Sequence, residues 1–434
     1  MAFLHSKSEA IKKPETALFE IPGTQTDIDK SYWDTYQPSN SLDDNSQIEY
    51  HVSGQGNVCL DLLHTMWYVK CQILKKDGKL LVDKEDVGIT NNFQHSLIAD
   101  CIVKLNGHLT TPLANNYSQK ANFENTHGFG PAAKQSHLQS QMYYKDTAGF
   151  MNDRTDKNKG YVTRKEFIAL SKPFEMFGPL YCDIFTINRY MLNEVNMDVK
   201  IVLNDPAYCL MAAANDYKIK ILEAVLYVRK VELGATLMLN IHETLKDKTA
   251  KYPYVRTEMK TFKISRELQM KVADNIYNGV QPKRVVIGFL RDTALAGTIT
   301  ENPYNYENFG ISKLVLYSAG QQFPQNVLQP DFTNVGGSVV SYSSLYSGSG
   351  IHYGDEGNDI SRLDYAKGYT FWSFDFTPDL SAASGSHWNP IRLGNLRIDI
   401  SLTPGLTTNI TGLVYAEFDA LMQVDLKRNI TLSS

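Results

Sequence analysis

The stretch DKNKGYVTRKEF, Asp156 to Phe167, places oxygen-bearing side chains nearly where a calcium loop would. Such a loop takes ligands at positions 1, 3 and 5, needs glycine at position 6 for its sharp turn, and closes on a bidentate glutamate at position 12. Asp156 and Asn158 meet the first two requirements, but Gly160 falls at position 5, so the third ligand is missing. Counting back from Glu166 meets the same deficit, and no long amphipathic helix leads into the segment. Its polarity instead predicts a solvent-facing insertion.

A second chemically suggestive stretch is SGSGIHYGDEGNDISR, Ser347 to Arg362. Gly348, Gly350 and Gly354 lack the spacing of a phosphate cradle, and Asp355, Glu356 and Asp359 would repel an anion. Those three carboxylates stand as candidate cation ligands, set against the plainer reading of a glycine-rich loop leaving a helix. His242-Glu243 lacks the second histidine of a zinc-protease helix, and no strand-turn-helix serine motif is present. These absences predict a protein without a catalytic site and without a cofactor. Basic and aromatic residues alternate from Lys246 to Lys260, which suggests either a nucleic-acid surface or, more plainly, a linker entering an edge strand guarded by lysines.

Composition narrows the class. The chain has 434 residues, 43% hydrophobic and 21% charged, with a formal net charge of −4, so nothing in its overall balance favours nucleic acid or anionic lipid. Sequence-specific nucleic-acid binding is not expected. The first residues lack the apolar run of a secretion signal, and nowhere do about 18 apolar residues follow one another, so neither export by that route nor a membrane span is expected. The five cysteines have no C-x-x-C spacing and four lie in alternating apolar runs, as small buried hydrophobes of a reducing compartment would.

What must position any chemistry is β-structure. Trp67, Val69, Cys71 and Ile73 alternate with Tyr68, Lys70 and Gln72, and comparable alternation recurs at 197–204 and 396–403. Turn pairs such as Asn106-Gly107 and Ala319-Gly320 punctuate these runs. Helical periodicity is confined to Gly234–Pro253, between two β-rich blocks, with short helices plausible over Ala114–Thr126 and Val335–Tyr346. Residues 1–45 are rich in polar residues and prolines and read as an arm. Its Phe19, Tyr32, Trp33 and Tyr36 would strap either its own core or a neighbouring subunit.

The blocks repeat. IADCIVKLNGHLTTP and ISKLVLYSAGQQFP share an alternating strand, a glycine turn and a return, about 213 residues apart. In the same order, HTMWYVKCQILKKDG parallels PKRVVIGFLRDTALAG, and IEYHVSG parallels KTFKISR. LYCDIFTINRYMLNEVNMDVKIVLN parallels FWSFDFTPDLS with LGNLRIDISLT, matching Asp183 to Asp375 and Thr186 to Thr377. Each block ends in a long alternating run, YKIKILEAVLYVRKVEL and ITGLVYAEFDALMQVDL. A period this long marks a duplicated domain. The expected architecture is all-β, a double jelly roll: an arm over 1–45, a first roll over 46–233, a helical linker over 234–250 and a second roll over 251–434.

With the arm and the duplication in view, the chain resembles the major capsid proteins of the Polinton/Maverick elements and adintoviruses, in the adenovirus hexon-like lineage. The resemblance is carried by IPGTQTDIDKSYWDTYQP, NNFQHSLIADCIVKLNG, YYKDTAGFM, AKYPYVRTEMKTF, QPKRVVIGF, SGSGIHYGDEGNDISRLDYAKGYTFWSFDFTPDLS and LVYAEFD. It implies two upright rolls and a homotrimer whose six similar rolls imitate a hexagon. It also implies neighbouring capsomers, a penton-type minor capsid protein as partner, and residence in the virion, assembled in the host nucleus or cytoplasm. The competing reading is a non-viral jelly-roll binding protein, for carbohydrate or for calcium-dependent interaction.

Overall fold

The computed structural model describes residues 14–16, 18–19, 21–43, 46–111, 116–334, 336–352 and 354–433. Alternation becomes strand wherever one face can be buried. In Val58–Lys75 the side chains of Trp67, Val69, Cys71 and Ile73 are wholly buried, while Tyr68, Lys70 and Gln72 on the other face are half-buried.

The first half forms eight principal strands: β1 (Ile28–Tyr36), β2 (Gln47–Val52), β3 (Val58–Lys75), β4 (Ile98–Leu105), β5 (His108–Leu109), β6 (Phe174–Pro179), β7 (Met197–Leu203) and β8 (Tyr217–Leu233). They pair antiparallel in two four-stranded sheets, ordered β1-β8-β3-β6 and β2-β7-β4-β5. The second half supplies β9 (Ala250–Ile264), β10 (Met270–Val280), β11 (Arg284–Arg291), β12 (Ile311–Ser318), β13 (Gln321–Leu328), β14 (Phe371–Asp375), β15 (Leu393–Leu402) and β16 (Ile410–Val424). Their sheets run β9-β16-β11-β14 and β10-β15-β12-β13, with Ile430–Ser433 added beside β16. Each of these eight strands thus has its counterpart eight places later, while the short pair Val87–Ile89 and Leu210–Ala212 belongs to the first half alone among the described residues. The fold is an all-β double jelly roll.

Register carries the correspondence to single residues. Thr35, Tyr227, Met66 and Pro179 form one row across β1, β8, β3 and β6. Thr257, Glu417, Arg284 and Asp375 form the matching row across β9, β16, β11 and β14. Each row ends on the last residue of its fourth strand. The two equivalent hairpins turn alike: Asn106 and Gly107 have φ of 46° and 78°, Ala319 and Gly320 of 49° and 78°. Two successive positive φ angles are what a type I′ hairpin turn requires, and glycine adopts the second without strain.

Four sequence expectations change. The first roll begins at Ile28, inside the span assigned to the arm, because β1 is the edge strand that completes its sheet. The counterpart of IEYHVSG is β10, whereas KTFKISR closes the long strand β9; alternating strands of similar polarity cannot be told apart by pattern alone. The linker helix stops at Asp247, and Pro253 lies within β9, an edge strand where a missing N–H donor is tolerated. The two shorter helices are Tyr117–Gly128 (α1) and Val339–Ser347, each starting later than expected. Residues 112–115 and 335 lie outside the described residues.

The rolls share a core. Tyr252, Tyr254, Ala420, Met422 and Val424 of the second roll pack into the first roll's hydrophobic cluster, in which Trp67 Nε1 donates to Tyr50 Oη across the two sheets at 2.9 Å. A further cluster joins Phe123 and Met151 to Leu290, Tyr306, Phe371 and Tyr415. All five cysteines are buried and unpaired. Among the described residues, no helix is long and apolar enough to cross a membrane.

Candidate functional site: the seam between the rolls

The calcium-like stretch is a helix. Lys159–Phe167 (α2) starts at Asn158, whose side chain accepts from the Tyr161 and Thr147 backbone N–H groups, which is N-capping rather than metal ligation. Gly160 is required by packing, since a Cβ there would collide with the Lys145 carbonyl. The expectation of a solvent-facing insertion is therefore corrected. Asp156 and Glu166 do face water, but Gly160, Tyr161 and Arg164 are buried. Arg164 donates from Nε to the Ile89 carbonyl at 2.9 Å and from Nη2 to Asp146 Oδ1 at 2.7 Å, with both side chains fully buried. Asp146 Oδ2 then accepts from Asn302 Nδ2 of the second roll at 2.8 Å.

The glycine-rich stretch also resolves into packing. Ser361 caps a helical turn in a reciprocal pair with Asp364, and Lys145 reaches Asp364 at 3.0 Å and Asp359 at 3.5 Å. Asp355 and Glu356 are exposed. Among the described residues, no group of three or more His, Cys, Asp or Glu side chains is arranged to hold a metal ion.

The arm residues are dispersed. Tyr36 packs against the first roll's core, and its hydroxyl donates to Asp34 at 3.0 Å, while Lys230 pairs with Asp34 at 2.9 Å. Tyr32 is half-buried beneath the Lys30 ammonium, Trp33 is 47% exposed, and Phe19 is 99% exposed.

Polar chemistry gathers between the rolls instead, in a cleft of about 830 Å³. The helix α1 presents Lys120 and Glu124 one turn apart, and Phe123 between them faces the shared aromatic cluster. Asp183, four residues beyond β6, pairs with Lys120 and accepts from Thr257 of β9, from the backbone N–H at 2.8 Å and the hydroxyl at 2.6 Å. Across the cleft Arg284 pairs with Glu417. Sequence reasoning matched Asp183 to Asp375, but the register sets Pro179 against Asp375 and therefore Asp183 against Asp379; it gave no signal for Lys120, Glu124, Arg284 or Glu417, because their partners lie up to hundreds of residues away.

Burial opposes the Lys120 ammonium, but the charges of Asp183 and Glu124 outweigh it and hold its pKa above the ordinary lysine value. Burial raises the Glu124 carboxyl to about 7, with Lys120 opposing and Asp183 and Glu417 adding to the rise. The folded chain therefore binds a proton there that the unfolded chain releases above about 4.5. That stabilisation is present below about pH 4.5 and is lost as pH rises through 7. Glu124→Gln should match the wild type near pH 4.5 and exceed it above pH 7 by about 1–3 kcal/mol, allowing for the fifth of the Glu124 side chain that water reaches. Urea midpoints across that range would check it; an unchanged difference at all pH values would mean Glu124 is not the titrating group.

The arrangement fixes two rolls against each other. No protein-family model matches the chain. An uncharacterized protein of Caenorhabditis elegans is 23% identical over 433 residues, covering 95% of this chain and 100% of that protein. A chain of the Sputnik virophage particle superposes with a TM-score of 0.66 at 11% identity, covering 98% of this chain and 93% of that one. The Faustovirus major capsid protein gives 0.58 at 8% identity over 93% and 92%, and the mavirus major capsid protein 0.52 at 11% identity over 100% and 96%. These neighbours are structural proteins rather than enzymes, and the fold that this chain shares with them along nearly its whole length is that of the viral double jelly-roll major capsid proteins.

Proposed function

We propose that the chain is a major capsid protein that trimerises into pseudo-hexagonal capsomers and builds an icosahedral shell around a DNA genome. The observation that carries this reading is the strand-for-strand repetition of one roll within a single chain. Three chains with two similar rolls each offer six near-equivalent wedges, a shape that tiles a flat facet. Full-length similarity to capsid proteins supports it. The assignment to the Polinton/Maverick and adintovirus group rests on the sequence resemblance. Neighbouring capsomers and a penton-type minor protein would complete the shell, which places the protein in the virion.

Contacts within such a trimer should bury more than roughly 2,000 Å² and be largely apolar. Light scattering on the purified chain should give three times the monomer mass, and negative-stain images should show hexagonal outlines. A stable monomer at all concentrations would refute the reading.

A further inference from the structure

Resting on the reading as a trimer, we propose that the connection between β14 and β15 of one chain docks on the free edge of β1 in a second copy. It would repeat between chains the contact that joins the two rolls within one. The premise is the row equivalence already established. Within the chain, the connection between β6 and β7 lies along β9: Asp183 accepts twice from Thr257, Arg189 donates to the Lys251 carbonyl at 2.6 Å, and Tyr252 Oη donates to the Tyr190 carbonyl at 3.1 Å. Asp183 stands four residues beyond Pro179, the end of its row. Four residues beyond Asp375, the end of the matching row, stands Asp379. Thr35 holds in β1 the place that Thr257 holds in β9.

Among the described residues, both halves of the equivalent contact are open in a single chain. β1 ends its sheet, and the Thr35 N–H donates to its own neighbour, Asp34 Oδ1, at 3.0 Å. Asp379 is exposed and held by His387 at 2.8 Å, as Asp183 is held by Lys120. Its connection leaves Leu380 69% and Ile391 65% exposed, while Trp388 lines the cleft between the rolls. The receiving strand carries exposed Trp33, in the place of Val255, which lines the cleft between the rolls. The docking and receiving surfaces differ, so the contact is heterologous; it cannot satisfy itself in a pair and continues until a ring closes. Three chains close it as six alternating rolls.

The test uses full-length chain with Thr35→Cys and Asp379→Cys, treated with a short bismaleimide. The five native cysteines are buried, so background coupling is low. Covalent trimers on a denaturing gel are expected from the double variant and neither single one. Asp379→Arg, on an exposed loop, should raise the dissociation concentration of the trimer roughly 30-fold or more. Trimers by light scattering that neither cross-link nor weaken would overturn the docking proposal and leave the trimer reading standing. A wild-type chain that is monomeric throughout would overturn that reading itself.

Discussion

Replacing Asp146 by alanine should lower the stability of the chain by about 3–5 kcal/mol, the range for leaving a buried partner charge uncompensated. The Arg164 guanidinium would remain at zero exposure, still bonded to the Ile89 carbonyl but without its counter-ion, and Asn302 would lose one of its two acceptors, keeping the Met151 carbonyl. Whole domains are stable by only about 5–15 kcal/mol, so the variant should populate partly unfolded forms at ambient temperature. Urea titration followed by tryptophan emission would show it as a large drop in the first transition. The double variant Arg164→Met with Asp146→Leu removes both charges and should recover most of the loss. If the double variant were as damaged as the single one, packing rather than charge would be the cause. Millimolar calcium should leave the wild-type midpoint unchanged, since Asn158 caps a helix; a calcium-dependent rise would revive the loop reading of Asp156 to Phe167.

Two N-terminal deletions should differ sharply. Removing residues 1–27 should leave a folded protein, because Phe19 is fully exposed and β1 starts at Ile28. Removing 1–36 strips an edge strand from β8, takes Asp34 from the nearly buried Lys230, takes Tyr36 from the core, and bares a long strand edge to aggregation. The shorter deletion should give soluble protein with wild-type circular dichroism; the longer one should give inclusion bodies or a protease-sensitive species. Equal melting midpoints for the two would refute the place of β1 in the roll. On the capsid reading the shorter deletion should also keep capsomers yet prevent shells, so shells forming normally without residues 1–27 would remove the tail from assembly.

Much of the fold was legible because period-two burial is local. Trp67 to Ile73 declares its inward face without reference to anything distant, and Asn106-Gly107 declares its turn. The duplication was legible because order along the chain is preserved. Register and edges were not: Ile28–Tyr36 has a burial pattern with no fully buried residue, so its membership of a sheet depends on β8 some 200 residues later. The seam was less legible still. Lys120, Asp183 and Thr257 acquire meaning only when three separate segments meet, and a lone lysine on a polar helix carries no mark of burial. Polarity misled outright at Arg164, whose charge is neutralised inside rather than solvated outside.

The shared core of the two rolls bears on the geometry of whatever they build. Tyr252 and Met422 are interdigitated with the first roll, and Asn302 is bonded through Asp146 to Arg164, so the tilt of one roll against the other is set when the polypeptide folds. In a container paved by such wedges, particle diameter would be written into each subunit before it meets another. Repacking the seam, with the outer surfaces untouched, would then change how large a sphere closes.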